Sequence, residues 1–245
     1  CRAFERDISL YEDLFAVRPQ LLVHDLHPDY ASTRYAQSRA GEEGLRLLTV
    51  QHHHAHIASC LAEHGLSGPV IGVAFDGSGY GADGAIWGGE FLVADYAEFR
   101  RAGHLRYVGL PGGEAAVREP WRMAAAYLID AGLDLSLLAG TISAHALRTI
   151  ERTDRKIIAR RFHSTILDIV EAVCRRLRRD WKLKQVALSG GTFMNAILAH
   201  ETAQRLTADG FEVFRQQAVP CNDGGLALGQ LAVAAARSAQ EFEER

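Results

Sequence analysis

The stretch Val50-Gln51-His52-His53-His54-Ala55-His56 concentrates four of the chain's eleven histidines within five positions. It follows the apolar, strand-like residues 47–50 and leads into the helix-like residues 57–62, so it predicts a strand that ends where a helix begins. On such a helix His52 and His56 project from one face, at a spacing that suits a divalent metal ion. Because ligands of open α/β sheets bind at the carboxyl ends of strands, the stretch predicts a metal site at such an end.

Two other interpretations of the histidine run stay open. His53 and His56, three positions apart, form an alternative metal-binding pair. The run could instead be a solvated helix face, or contain one buried histidine whose hydrogen bonds are satisfied. Metal binding is favoured, because neutral imidazole is a common ligand of divalent metals.

The composition is that of an ordinary globular protein. The 245 residues, 48% apolar and 23% charged, can bury a full core as one large domain or two small lobes. A net charge of −3 gives no overall basic surface, so no nucleic-acid partner is expected. The four cysteines are scattered without a C-x-x-C pair, which argues against a zinc ribbon and a disulfide scaffold. Without a long apolar stretch or a signal-peptide pattern, a cytoplasmic protein with no membrane partner is expected.

A second cluster of histidine and aspartate precedes the histidine run. Leu21-Leu22-Val23 predicts a short buried strand, which leads into His24-Asp25-Leu26-His27-Pro28-Asp29. These side chains could be ligands, or they could cap and turn the chain. Because aspartate and proline favour turns, the structural role is favoured.

The next glycine-rich segment predicts a β-hairpin. Residues 70–75 form an apolar, β-branched central strand, followed by a glycine-rich turn over residues 76–84 and a returning strand. A P-loop or a dinucleotide fingerprint must open a helix, so neither fits. A hairpin of this kind can bring the backbone N–H groups of Gly77 and Gly79 against a phosphate while Asp76 faces a cation.

Two more glycine motifs follow. Leu110-Pro111-Gly112-Gly113-Glu114 opens a turn, ahead of helices predicted near residues 121–129, 143–152 and 163–181. The strand formed by residues 185–188 then ends in Ser189-Gly190-Gly191-Thr192-Phe193-Met194-Asn195. Amides at the start of the following helix are a ready site for an anion or a nucleotide, and the alternative is a tight strand-to-helix turn.

The last motif is Cys221-Asn222-Asp223-Gly224-Gly225, between a final strand and the closing helix. It places Asp223 at another strand end. Several strand-end loops therefore carry acidic, histidine or glycine residues, which is more than turns alone require.

The ordered motifs resemble a known family. They resemble the C-terminal part of HypF, the carbamoyltransferase of nickel–iron hydrogenase maturation, which is similar to the transferase that makes threonylcarbamoyl-adenosine in tRNA. The resemblance covers nearly the whole chain and rests on residues 24–30, 50–56, 76–77 with 87–90, 110–114 with 118–121, 189–195 and 222–225.

The resemblance implies an α/β fold of the two-lobed actin, sugar kinase and heat-shock chaperone (ASKHA) type. A partial first lobe would span residues 1–110 and a second lobe residues 111–245, together forming one carbamoyl-transfer domain. The first strands of the family's domain are expected to lie before Cys1, so the N-terminal lobe of this sequence is expected to be incomplete.

The resemblance also implies the site residues. A divalent metal, zinc or iron, would be held by His52, His56, Asp76 and Asp223. ATP or carbamoyl-adenylate would be surrounded by the glycine loops, through Gly77, Gly79, Gly112, Gly113, Glu114, Gly190, Gly191 and Asn195.

The activity implied is transfer of a carbamoyl group from carbamoyl-adenylate to the C-terminal cysteine thiol of the partner HypE. The family makes that adenylate in preceding domains, of acylphosphatase-like, zinc-binding and YrdC-like type, which are not in this sequence and are expected as partners. The alternatives are an O-carbamoyltransferase or a tRNA threonylcarbamoyl-type transferase of the same fold, and a non-catalytic module that binds metal or partner. A sugar-kinase-like ATPase is a third, for which no base is placed.

Overall fold

The computed structural model of the chain describes residues 2–133 and 152–243. Within these residues no helix is long and apolar enough to cross a membrane. The helix predicted near residues 143–152 lies outside the described residues, except at its last position.

The chain divides into two compact units. One contains residues 1–104 together with 167–245, and the other contains residues 105–166. The division into lobes at residue 110 that the sequence predicts stays a prediction, and so does the incomplete N-terminal lobe.

The strands of the described residues form two sheets, both in the first unit. The smaller sheet pairs β1 (Leu21–Asp25) in parallel with β2 (Arg46–Val50). The strands of the larger sheet are β3 (Val70–Tyr80), β4 (Ile86–Ala94), β5 (Phe99–His104), β6 (Gln185–Ser189) and β7 (Glu212–Arg215).

The larger sheet has β3 at its centre, with the order β5-β4-β3-β6-β7. The strands β3, β4 and β5 are antiparallel, whereas β6 and β7 run parallel to β3. The predicted hairpin is therefore present, but its turn is shorter than residues 76–84, because Gly79 and Tyr80 pair with Trp87 and Ile86. The register shifts between Phe75 and Gly79, a bulge of the kind that re-aims side chains at a strand end.

Eight α-helices lie within the described residues. In chain order they are α1 (Arg2–Phe15), α2 (Ala31–Glu43), α3 (His52–His64), α4 (Glu114–Arg118), α5 (Trp121–Asp130), α6 (Arg152–Trp181), α7 (Ala196–Ala208) and α8 (Leu226–Glu243). The predicted strand-to-helix boundary at the histidine run is confirmed, because β2 ends at Val50 and α3 begins at His52. Gln51 caps α3 by accepting a hydrogen bond from the His54 N–H, and Gly65 ends it in the left-handed conformation, with φ +60°.

The helix α3 is central to the first unit, since every residue from His52 to Leu61 is buried. A helix that is buried on all sides cannot be a solvated face, so that interpretation of the histidine run is wrong. Its apolar side chains join the sheet in a core cluster made of Ile57, Cys60, Leu61, Val70, Ala74, Trp87, Leu92, Ala94 and Ala187.

Two glycines let α3 approach its neighbours closely. A Cβ atom on Gly72 of β3 would lie 2.7 Å from Cγ1 of Ile57, and a Cβ atom on Gly229 of α8 would lie 1.8 Å from the carbonyl oxygen of Ala55. The helix is therefore clamped between the sheet and α8, and its side chains have fixed positions.

Candidate metal centre

The four residues expected to hold a metal lie together in the structure. One ligand atom from each of His52, His56, Asp76 and Asp223 lies within 4.8 Å of the others. The histidines come from the first turns of α3, Asp76 from the bulge of β3, and Asp223 from a 3₁₀ turn ahead of α8. Three segments that are distant in the sequence thus converge on one site.

The distances show how tightly the four side chains cluster. His52 Nε2 lies 3.1 Å from Asp76 Oδ2 and 3.5 Å from Asp223 Oδ1, and His56 Nε2 lies 3.7 and 3.6 Å from the same two oxygens. Asp223 is exposed, with 69% of its side chain accessible, whereas both histidines are buried. The cluster is therefore buried at the two histidines and exposed at Asp223.

The donor set fits a divalent metal. Among the described residues, His56 Nε2 is buried without a hydrogen-bond partner, although buried polar atoms are normally bonded. It faces two carboxylates from just beyond hydrogen-bonding distance. A cation between the two imidazoles and the two carboxylates would satisfy this nitrogen, and zinc and iron both accept such ligands.

Asp25 contacts the cluster through His52, on the ring nitrogen opposite the one that faces Asp76 and Asp223. Its Oδ2 lies 2.7 Å from Nδ1 of His52, and its Oδ1 accepts a hydrogen bond of 2.8 Å from the His27 N–H. In the neutral form that binds a metal, His52 would donate its Nδ1–H to Asp25, and its Nε2 lone pair would face Asp76 and Asp223. An orienting carboxylate of this kind is typical of metal-binding histidines.

The sequence favours a turn at residues 24–29, with metal ligands as the alternative, and does not single out Asp25 among them. A signal was present: Asp25 ends β1, and the parallel register pairs it with Val50, the residue that ends β2 just before the histidine run. Carboxyl ends of parallel strands meet at the same edge, so the two segments had to be neighbours.

The histidines and the carboxylates of the cluster shift one another's pKa values in opposite directions. Burial alone would lower the pKa of His52, but the carboxylates of Asp25 and Asp76 outweigh burial and raise this pKa to about 10. Although burial opposes it, His52 and His56 hold the pKa of Asp76 well below its usual range, and His56 lowers the pKa of Asp223. The carboxylates therefore require positive charge beside them, which either imidazolium groups or a metal ion can supply.

The other two histidines of the run lie outside the cluster. His54 Nε2 donates to the carbonyl oxygen of Asp95 at 2.7 Å, and His53 Nδ1 lies 3.4 Å from Nε2 of Gln51. Burial lowers the pKa of His53 to about 3 and that of His54 to about 4, so both are neutral. The alternative pair of His53 with His56 is not brought together with the acidic residues.

The glycine loop after β6 lies against Asp76. The Gly191 N–H donates to Asp76 Oδ1 at 3.0 Å, and the Gly190 N–H donates to the carbonyl oxygen of Cys221 at 2.9 Å. Asn195 caps α7 by accepting from two backbone amides. These groups already have partners within the protein, and their role in nucleotide binding stays a prediction.

The other predicted nucleotide residues lie in two places. Gly77 belongs to the exposed bulge of β3, whereas Gly79 packs on His53, and a Cβ there would lie 2.6 Å from His53 Cε1. The remaining three, Gly112, Gly113 and Glu114, belong to the second unit and lead into α4. A role in nucleotide binding remains a prediction for each of them.

Two family models match the chain, and their matched ranges include all four residues of the cluster. Residues 1–63 match the model described as the HypF Kae1-like domain. Residues 72–149 and 136–230 match the carbamoyltransferase Kae1-like domain, second subdomain. The chain belongs to the HypF family. The predicted family is thereby confirmed.

Individual HypF proteins are similar over nearly the whole chain. Carbamoyltransferase HypF2 of Cupriavidus necator is 32% identical over 97% of this chain and 42% of its own length. Carbamoyltransferase HypF of Rhodobacter capsulatus is 33% identical over 96% and 42%. A HypF homolog of C. necator is 30% identical over 96% and 82%. The chain thus spans about two fifths of the length of the first two relatives.

Two solved HypF structures share the fold. A crystal structure of full-length HypF in the phosphate- and nucleotide-bound form superimposes with a TM-score of 0.81 at 30% identity, covering 95% of this chain and 41% of that one. The HypF structure from T. kodakarensis gives a TM-score of 0.73 at 23% identity, covering 94% and 43%. These likenesses confirm the predicted α/β, ASKHA-like fold class.

Proposed function

We propose that this chain is the part of a HypF protein that transfers a carbamoyl group from carbamoyl-adenylate to a thiol. The acceptor is the C-terminal cysteine of a HypE-like partner, and the product serves synthesis of the cyanide ligands of nickel–iron hydrogenase. The observation that carries the proposal is the cluster of His52, His56, Asp76 and Asp223 in a chain of a carbamoyltransferase family.

The metal expected there is zinc or iron, held by those same four residues. When bound, it would supply Lewis-acid chemistry, orienting phosphate or ribose oxygens and polarising the carbamoyl group. Asp25 keeps the Nε2 lone pair of His52 directed into the site. Gly191 holds Asp76 in place, and the open side at Asp223 admits the substrate.

The reaction forms a carbon–sulfur bond and breaks a carbon–oxygen bond and the S–H bond of the thiol. The thiol sulfur attacks the carbamoyl carbon, the bond from that carbon to the phosphate oxygen breaks, and AMP leaves. The thiol proton is released to solvent, and the partner retains the carbamoyl group as an S-carbamoyl cysteine.

The cysteines of the described residues support an external thiol. Burial raises the pKa of Cys60 and of Cys174 to about 12, and burial also raises the pKa of Cys221. The thiolate is the nucleophilic form, so a buried thiol with a raised pKa is a poor nucleophile at neutral pH.

The nucleotide ligand and the remaining HypF segments complete the proposal. ATP or carbamoyl-adenylate would contact the glycine loops, and the solved relative was bound to phosphate and nucleotide. Because this chain corresponds to about two fifths of the length of the two HypF relatives first compared, the rest of a HypF protein would supply the adenylate. Its location is expected to be cytoplasmic, and neither a nucleic acid nor a membrane is a proposed partner.

The test supplies carbamoyl-adenylate and a synthetic peptide that ends in cysteine to the zinc-loaded chain. AMP release is measured by chromatography, and carbamoylation of the peptide by mass spectrometry. We expect one carbamoyl group on the cysteine, and no transfer by His56→Ala. Transfer to a peptide that ends in serine would instead support O-carbamoylation, and bound zinc without any transfer would support a non-catalytic module.

A further inference from the structure

Asp223 is the ligand candidate whose position burial does not explain. Its side chain is 69% exposed, and it lies in an irregular segment, residues 216–225, between β7 and α8. Such a segment has many conformations unless other residues restrict it. The structure shows what restricts it here, and the restricting residues lie on the same helix that carries His52 and His56.

Glu63, near the end of α3, binds three successive backbone amides of this segment. Its Oε1 accepts from the N–H groups of Gln217 at 2.6 Å and Ala218 at 2.9 Å, and its Oε2 accepts from the N–H of Val219 at 3.1 Å. Hydrogen bonds to an ionised carboxylate are about twice as strong as neutral ones. One side chain therefore fixes three consecutive residues ahead of Asp223.

Further bonds attach the two ends of the segment to the same part of the fold. Gln216 Nε2 donates to the carbonyl oxygen of His56 at 3.3 Å and to Ser189 Oγ at 2.7 Å. Ser59 Oγ, one turn after His56 on α3, donates to the carbonyl oxygen of Gly225 at 2.9 Å. The helix thus contacts the segment both before and after Asp223.

We propose that Glu63 is a positioning residue for the metal site, which acts by holding residues 217–219 so that Asp223 faces His52 and His56. This inference rests on the proposed metal site. Without Glu63 the segment would have to be ordered at the moment the metal binds, and the affinity for metal would fall by the cost of that ordering.

The experiment is a double-mutant cycle with zinc alone as the probe. Zinc affinity at neutral pH is measured by competition with a chromophoric chelator for the wild type, Glu63→Ala, Asp223→Ala and the double variant. We expect Glu63→Ala to weaken zinc about tenfold in the wild-type background, as loss of a supporting partner typically does. In the Asp223→Ala background the same change should matter by less than about twofold, because the residue acts through Asp223.

Two further variants keep the result specific. Glu63→Gln retains an oxygen that can accept from Gln217 and Ala218, so its affinity should lie between those of the wild type and Glu63→Ala. Glu43 and Arg39 form an ion pair within α2. The control variant Glu43→Ala, which removes a carboxylate from α2 rather than from α3, should bind zinc like the wild type. Circular dichroism confirms that each variant is folded, and Glu63→Gln replaces Glu63→Ala in the cycle if the latter is not.

Hydrogen–deuterium exchange gives a readout that needs no metal. In the metal-free chain, exchange of the amides at residues 217–219 should accelerate in Glu63→Ala. Unchanged exchange, unchanged zinc affinity, or an equal loss of affinity in both backgrounds would each overturn the inference while leaving the metal site intact. A wild-type chain that binds no zinc would overturn the metal site itself and this inference with it.

Discussion

Replacing Asp25 by asparagine is expected to weaken metal binding although the residue is not a ligand. Asp25 is buried, and its two oxygens accept from two different donors, His52 Nδ1–H and the His27 N–H. Asparagine has one acceptor oxygen and one NH₂ group, so it can satisfy only one of these donors. One orientation of the amide places its NH₂ group against the His27 N–H, and the other places it against Nδ1 of His52.

The size of the effect follows from the two orientations. If the amide oxygen stays on His27, its NH₂ group faces His52 Nδ1 and favours the tautomer whose proton lies on Nε2, which then no longer offers a lone pair to the metal. Loss of such an orienting partner typically costs 10- to 100-fold in affinity, or about 1.4–2.7 kcal/mol. If the amide turns over, the His27 N–H is left unsatisfied, at a cost of about 1–3 kcal/mol in stability.

The assay is zinc affinity by chelator competition, together with the free energy of unfolding in urea and the tautomer of His52 from nitrogen NMR. Asp29→Asn is the matched control, because Asp29 is an exposed aspartate in the loop that follows β1. The reasoning is refuted if Asp25→Asn binds zinc within about twofold of the wild type, is equally stable, and still carries the His52 proton on Nδ1.

Three further predictions concern stability. Gly190→Ala would place a Cβ atom 2.1 Å from a backbone oxygen of β3, at φ +104°, and should lower the free energy of unfolding in urea by about 2–5 kcal/mol. Gly210→Ala is the control: Gly210 has φ +82° but no atom near the added Cβ, so the loss should be only about 1 kcal/mol. Zinc at about 100 times its Kd should stabilise the wild type by about 2.7 kcal/mol in thermal unfolding, with EDTA reversing this, and His56→Ala should not respond. The hydrogen bond from the Arg39 guanidinium lowers the pKa of Glu12 in the folded chain. The pair therefore stabilises the fold at pH values above the unfolded carboxyl pKa of about 4.3, and this stabilisation is lost as the pH falls through the lower pKa of the folded state. In Arg39→Leu the Glu12 pKa measured by carbon NMR should return towards that unfolded value, and an unchanged pKa would contradict the ion pair.

The sequence predicted the elements of the site because each one has a local signal. The histidine run has the composition of a strand that leads into a helix, and α3 begins within it as expected. The apolar strands before Asp76 and Gly190 were equally visible, because β-branched runs followed by glycine mark strand ends. The rule that ligands bind at strand ends then indicated that these segments would meet.

The contacts that tune the site could not be read in the same way. Glu63 looks like an ordinary polar residue near a helix end, and its three amide partners lie more than 150 residues away in the chain. The sequence indicates free amides at Gly190 and Gly191, yet in the structure the Gly190 N–H donates to the carbonyl oxygen of Cys221 and the Gly191 N–H donates to Asp76. Such pairings depend on tertiary register, which composition and spacing do not encode.

The uneven burial of the four ligand candidates has a kinetic consequence. His52, His56 and Asp76 have side chains that are at most 11% exposed, whereas the side chain of Asp223 is 69% exposed. Opening of the segment that carries Asp223 would alone uncover an ion bound at the proposed site, and such partial openings require less free energy than global unfolding. We therefore expect metal exchange without global unfolding. A chelator should remove an ion bound at this site, and a new ion should bind, while the rest of the first unit stays folded.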